Sequence, residues 1–444
     1  MKINKPVKNT THEGAKASII NPLEQLKRSV MACLLWEDSF YENGEQIGER
    51  IKGLVHACDP DDVTEIAVKA RNEMKLRHVP LLLVRELARH PKKPAIAGTL
   101  CETIQRADEL AEFLAMYWQD GRQPLSKQVK KGLACAFRKF NEYHLSKYNR
   151  DGIVKLRDVL FMVHAKPKDD DQAALWKRLV NNELAIADTW ETALSSGQDK
   201  KETFERLLKE NKLGDLALLR NLRNMKQAEV NEELVFSALL KSAEKSKALP
   251  FRYVAAARAV PSWERQIDEA MQIACRGMDK LPGKTVILVD VSGSMNDRLS
   301  SKSDLKRIDA ACALAVLVRA ICDDVVIYSF SNKLAEVPQR SGMALIDAIC
   351  VSQPHSGTYL GKSWSVAKDI VKYADRTIII TDEQSMDVVE SPLGNGYMIN
   401  VASYQNGIGY HNWTHIHGFS EQIVRYIQEF ESGTYIQKSS FLYI

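Results

Sequence analysis

The first 280 residues carry apolar positions at three- and four-residue steps, the mark of helices with one buried face. Leu100, Ile104, Ala107, Ala111, Leu114 and Trp118 form one such stripe. Asp59-Pro60 supplies a helix N-cap followed by proline at the first helical position. Pro80, Pro91, Pro94, Pro124, Pro167, Pro250 and Pro261 cut the region into short segments, and no useful strand alternation interrupts it. Helix after helix without a strict repeat length fits stacked hairpins in a solenoid. A compact bundle is the alternative, and periodicity does not separate the two.

From Leu281 the texture changes. Residues 285–290 are a continuous apolar run closed by Asp290. Helical spacing over 305–322 follows, then a strand at 325–330 and helices at 343–351 and 361–374. Strands at 377–381, 397–403 and 414–418 and a helix at 421–431 complete the pattern. Buried strands alternating with helices predict a doubly wound α/β fold, with a parallel sheet covered on both faces. The chain is therefore read as two units, a helical-repeat array over 1–280 and an α/β unit over 281–444. Ligands of such sheets sit at the carboxyl ends of strands, where the most distinctive polar residues of this half fall.

Composition narrows the class. The 444 residues are 45% hydrophobic and 27% charged, as in soluble globular proteins, which excludes a disordered or collagen-like chain. Without an uncharged apolar run of about 18 residues, no transmembrane helix and no membrane partner are expected. The polar stretch from Met1 to Pro6 does not read as a secretory signal, so a cytoplasmic protein is expected. Eight cysteines, at 33, 58, 101, 135, 275, 312, 322 and 350, include no C-x-x-C pair and are expected as buried, reduced thiols.

The net charge of +4 is unevenly placed: −3 from Leu281 onward and +7 before it. Residues 122–168 hold 12 basic and three acidic residues, a local +9 that attracts polyanions. On a helix over 127–140, Lys127, Lys131 and Arg138 share one face. Lys147, Tyr148 and Arg150 follow, and a helix over 154–164 ends in His164. Cations beside exposed rings suit phosphate contact combined with base stacking. Taken singly, each has a plainer reading: a solvated lysine face, a packed Tyr148, a capping or core His164.

A second constellation lies in the α/β unit. Asp290, Ser292 and Ser294 alternate in a loop directly after a strand, Thr358 precedes a helix, and Asp382 ends another strand. Oxygen donors alone favour Mg2+, with Mn2+ or Ca2+ also accommodated, over zinc. A site with few carboxylates stays electrophilic and accepts an acidic group from a partner.

Residues 284–444 resemble a von Willebrand factor A domain, and Asp290, Ser292, Ser294, Thr358 and Asp382 match its metal-ion-dependent adhesion site. By that resemblance the two serines and the threonine are close ligands, and the aspartates bind directly or through water. Such domains grip partners through the metal and are not usually catalytic. Residues 155–167, 190–195, 218–225 and 249–253 resemble the TROVE module. The order of the two modules, over roughly residues 20–444, resembles the Ro autoantigen family, bacterial type.

The resemblance implies a ring of HEAT-like helical repeats closed by the A domain. It implies a central hole for single-stranded 3′ ends of misfolded RNA and an outer basic face for small noncoding, Y-type RNA. The family's Y RNA contacts map onto Lys147 and His164, while a further family arginine falls at Asp151, next to Arg150. Bacterial relatives work with a 3′ exoribonuclease. The expected function is a monomeric ribonucleoprotein core that scaffolds RNA quality control or decay, without enzymatic activity of its own.

Two other classes are kept alongside. A metal-dependent protein-adhesion module would use the helices only as scaffold. A metal-dependent hydrolase would use Asp382-Glu383, although no positioned base or nucleophile accompanies them and no Walker loop, G-x-S-x-G or H-E-x-x-H motif is present. His411, His415 and His417 are expected as a surface cluster rather than a zinc site.

Overall fold

The structure is a computed structural model, described here over residues 10–31, 44–149, 151–246, 248, 250–276, 278, 280–299, 305–402, 404, 406–410, 412–418 and 422–431. The helical region opens with α1 (Pro22–Met31), α2 (Gly44–Ala57), α3 (Pro60–Asn72), α4 (His78–Arg89), α5 (Ala97–Thr103) and α6 (Asp108–Tyr117). It continues through α7 (Lys127–Phe137), α8 (Glu142–Tyr148), α9 (Leu156–Val163), α10 (Asp170–Asn181) and α11 (Trp190–Ser195). It closes with α12 (Lys200–Lys209), α13 (Asp215–Gln227), α14 (Glu232–Ala243), α15 (Pro250–Ala259) and α16 (Glu264–Arg276).

Short polar side chains start these helices. Asp59, Ser126, Asn141, Asp169, Thr189, Asp199 and Asn231 each accept a hydrogen bond from an N–H of the first turn. Helices pack on the next and on the next but one: α2 and α3 on α4, α3 on α5, α5 on α7, α7 on α9, α12 on α14, α13 on α15, α14 on α16. That alternation is the contact pattern of stacked hairpins, not of one bundle.

Two sequence expectations change here. The stripe from Leu100 to Trp118 is not one helix: the chain leaves helical geometry at Ile104 (φ −78°, ψ 111°) and re-enters at Asp108. Glu109 fixes the break by accepting the N–H groups of Gln105 (2.8 Å) and Arg106 (3.0 Å) while pairing with Arg71 (2.7 Å). The cysteines are not all reduced: Cys101 of α5 and Cys135 of α7 form a disulfide. These helices approach closely because Gly132 faces α5; a Cβ there would stand 2.9 Å from the Ala97 carbonyl oxygen and from Leu100 Cβ.

The second half holds β1 (Leu281–Asp290), α17 (Arg307–Ile321), β2 (Cys322–Phe330), β3 (Leu334–Glu336), α18 (Gly342–Cys350), α19 (Leu360–Val371), β4 (Arg376–Thr381), β5 (Asn395–Asn400), β6 (Thr414–His417) and α20 (Gln422–Glu431). The sheet order is β3-β2-β1-β4-β5-β6. The five expected strands, β1, β2, β4, β5 and β6, pair in parallel, and the sheet is mixed because an unforeseen three-residue edge strand, β3, runs antiparallel to β2. Alternate residues of β1 and β4 point to opposite faces. Ile287, Val289, Ile378 and Ile380 pack with α17, α18 and α20, whereas Val286, Leu288 and Ile379 pack with α19.

The apolar core does not part at the change of texture. One cluster fills α1–α10, and another runs from α12 through α16 into one face of the sheet. The array also touches the sheet unit at both ends. Helices α15 and α16 lie on α17, and α1 meets β6.

The second junction is sealed by Arg28 of α1, fully buried and 355 residues away from its ion-pair partner Glu383, which is also fully buried. The remaining guanidinium contacts are the carbonyls of Tyr404 and Asn406 and the Tyr410 hydroxyl. Although burial alone would raise it, the Glu383 carboxyl is held down to about 2 by Arg28 and His415. A segment preceding α1 lies on the same loop: Thr11 Oγ1 donates to the Ser385 carbonyl (2.8 Å) and Ser18 N–H to the Gly407 carbonyl (3.0 Å). Among the described residues no helix is long and apolar enough to cross a membrane.

Candidate functional site

Two separate places gather the polar residues that the sequence marks. The first is at the carboxyl ends of β1 and β4. Strand order reverses there, since β2 lies on one side of β1 and β4 on the other, and this is where open α/β sheets hold ligands. Asp290 and Asp382 are both fully buried at this point. Asp290 accepts from the Ser292 N–H (2.9 Å) and the Thr381 hydroxyl (2.6 Å). Asp382 accepts from the Ser294 hydroxyl (2.7 Å) and the Gln384 N–H (3.1 Å), and Ser294 Oγ lies 3.3 Å from Ser292 Oγ.

Thr358 is buried in the facing loop, which the Gly293 N–H grips through the Ser356 carbonyl (2.8 Å). Its own carbonyl accepts from Met386 N–H (2.7 Å) and Ser385 Oγ (3.0 Å). The five expected residues thus lie on three adjoining loops. Desolvation, together with the neighbouring Asp382, pushes the Asp290 carboxyl up to about 7. Arg307 Nη1 stands 4.0 Å from Asp382. Two buried carboxylates set among hydroxyl oxygens form a donor set that fits a hard divalent cation. No cluster of three or more His, Cys, Asp or Glu suited to a metal occurs among the described residues, so any such site must draw on the hydroxyls.

The neighbouring histidines are not a surface cluster. His417 is buried, and the His415 side chain is only 5% exposed, stacked 3.7 Å from the Tyr410 ring and bonded to Glu383 (2.9 Å). They belong to the Arg28–Glu383 junction. His411 lies outside the described residues.

The second place is on the helical array. Lys127, Lys131 and Arg138 all lie exposed along α7 and its C-cap. Arg138 Nε donates to the Lys166 carbonyl (2.8 Å), which ties the end of α7 to the segment just after α9. A carbonyl leaves the guanidinium charge uncompensated. Among the described residues, Lys127, Lys130, Lys131, Arg138 and Lys166 have no acidic partner within salt-bridge reach. His164 is the C-cap of α9, held at φ 52° and exposed, which removes the core reading.

Other cations are differently placed. Lys147 of α8 meets Glu191 (3.3 Å) and lies over the Tyr148 ring, whose centroid is also 4.7 Å from the Arg106 guanidinium. Lys139 is spent on structure, donating to the Cys101 and Ile104 carbonyls at the end of α5. Arg150 lies outside the described residues. At the start of α9, Lys155 pairs with Asp151 (2.6 Å).

One cationic feature was missed in the sequence. Arg252 of α15 is exposed, and partial desolvation plus the like charge of Arg220 on α13 lower its pKa. Both residues stand inside segments quoted above for the TROVE resemblance, but nothing in their spacing brings them together.

Residues 167–311 match the TROVE domain, a stretch that runs from the α10 region across the Asp290–Ser294 loop into α17. No curated protein matches the chain in sequence. Among solved structures, the crystal structure of the Deinococcus radiodurans RO (RSR) protein aligns with a TM-score of 0.62 at 16% identity, covering 93% of this chain and 100% of that one. At this identity the likeness is one of fold.

Proposed function

We propose, from the TROVE match over residues 167–311 and the likeness in fold to a Ro protein, that the chain binds RNA as the protein core of a small ribonucleoprotein. On this reading it is a scaffold for RNA quality control or decay and not an enzyme. Small noncoding, Y-type RNA occupies the basic face around α7 and α9. Single-stranded 3′ ends of misfolded RNA enter the central hole of the array. A 3′ exoribonuclease is the processing partner, and the protein works in the cytoplasm as a monomer.

The carrying observation is the row Lys127, Lys131 and Arg138, linked by one hydrogen bond to the His164–Lys166 turn and unopposed by acids among the described residues. Such a row supplies affinity through phosphate contacts and counterion release, whereas base identity must be read elsewhere. The array that starts and ends on the sheet unit supports the closed ring. Hydroxyls and carboxylates at the reversal of strand order support the von Willebrand factor A reading. Asp290, Ser292, Ser294, Thr358 and Asp382 would hold Mg2+, which when bound supplies an electrophilic point for an acidic group of a partner.

Filter binding of a structured RNA with a single-stranded 3′ tail tests the proposal. Neutralising Lys131, Arg138, Lys147 and His164 together should weaken binding by roughly one to two orders of magnitude and flatten its salt dependence. Unchanged affinity and salt slope would remove the proposal.

A further inference from the structure

Helix α9 buries Leu156, Val159, Leu160 and Val163 and turns a different set of side chains to solvent. Arg157, Phe161 and His164 follow at steps of four and three, so they stand in one row on the outer face. Phe161 is 58% exposed, and none of the close ring–ring or cation–ring contacts among the described residues involves it. An exposed phenyl ring on a helix whose inner face is already fully packed contributes nothing to that packing.

Its neighbours give the ring a context. Arg157 lies one turn before it and His164 one turn after, followed by Lys166 and the bound Arg138. The nearest acid in sequence, Asp158, accepts the Lys155 N–H (3.0 Å) and lies within ion-pair reach of Arg157 Nε (3.9 Å), whereas His164 and Lys166 face no acid among the described residues. An apolar plate flanked by cations complements a flat, uncharged ring carried on an anionic backbone. A duplex keeps its bases stacked inside, so only an unpaired nucleotide offers that ring.

We propose that Phe161 is a stacking platform for an unpaired nucleobase of bound RNA, with Arg157, His164 and Lys166 holding the adjoining phosphates. The inference rests on the RNA-binding reading and deepens it, because it separates a base-contacting position from the phosphate-contacting row of α7. Cations on both sides favour a nucleic acid over an apolar protein surface as the occupant.

The experiment compares the full chain with Phe161→Ala, Phe161→Trp and the fourfold neutralised variant. The probes are one RNA hairpin, fully paired, with an internal oligoadenosine bulge, or with the same bulge made abasic. Phe161→Ala should weaken binding of the adenosine-bulged hairpin about tenfold or more, leave its salt slope unchanged, and leave the fully paired and abasic probes unaffected. Phe161→Trp should restore the loss.

If Phe161→Ala binds the bulged probe like the unaltered chain while the fourfold variant fails, the platform is refuted and the RNA reading survives. Equal losses on fully paired and bulged probes, or no rescue by tryptophan, refute stacking. If the unaltered chain binds none of the probes, the reading and the platform fall together.

Discussion

Lys147 shares its charge with Glu191, and that pairing sets how much of it an RNA phosphate can use. Glu191→Gln should therefore tighten RNA binding by a few-fold and steepen the salt slope by about one unit; filter binding at several salt concentrations would reveal an unchanged slope if Lys147 makes no phosphate contact. Gly132 is constrained in another way. A methyl group at its position collides with α5, so Gly132→Ala should cost about 1–3 kcal/mol, seen as a lowered midpoint in thermal unfolding. At this scale the sequence was informative where residues are close along the chain. Asp290, Ser292 and Ser294 declare themselves by alternation after a strand, and Lys127, Lys131 and Arg138 by helical phase. Phe161 looked like one more apolar residue of a helix, because a single exposed ring does not disturb the period of its neighbours.

Between α5 and α7 the disulfide is the kind of pairing that residue spacing cannot announce, since 34 positions separate Cys101 from Cys135. Cys135→Ser should lower stability by about 2–4 kcal/mol under oxidising conditions and have little effect under reducing ones, a difference that calorimetry with and without a reductant would expose. The loops after β1 and β4 make a second element-level test. Mg2+ should raise the melting temperature of the unaltered chain and leave Asp382→Ala unmoved; identical responses would dismiss the cation site. Helices and central strands were legible because burial imposes their periods. The three-residue β3 was too short to show one, and the break at Ile104 depends on Glu109 reaching back to backbone donors, which leaves the apolar stripe intact.

Across the whole molecule, the junction of α1 with the sheet unit was the least legible feature. Arg28 sits in an ordinary amphipathic helix, and only its burial against Glu383 gives it significance. Arg28→Met leaves a buried carboxylate without its main counter-charge and should destabilise that junction by about 3–5 kcal/mol. Limited proteolysis should then cut the first helices free early; equal resistance in both proteins would contradict the role given to the pair. The seam also constrains birth order on the ribosome. Nascent chains fold from their leading end, yet the Arg28 guanidinium has no partners until Glu383, Tyr404, Asn406 and Tyr410 have been translated. Helix α1 can therefore settle on α2 and α3 early in synthesis, while its arginine stays without a counter-charge until the sheet unit has been made.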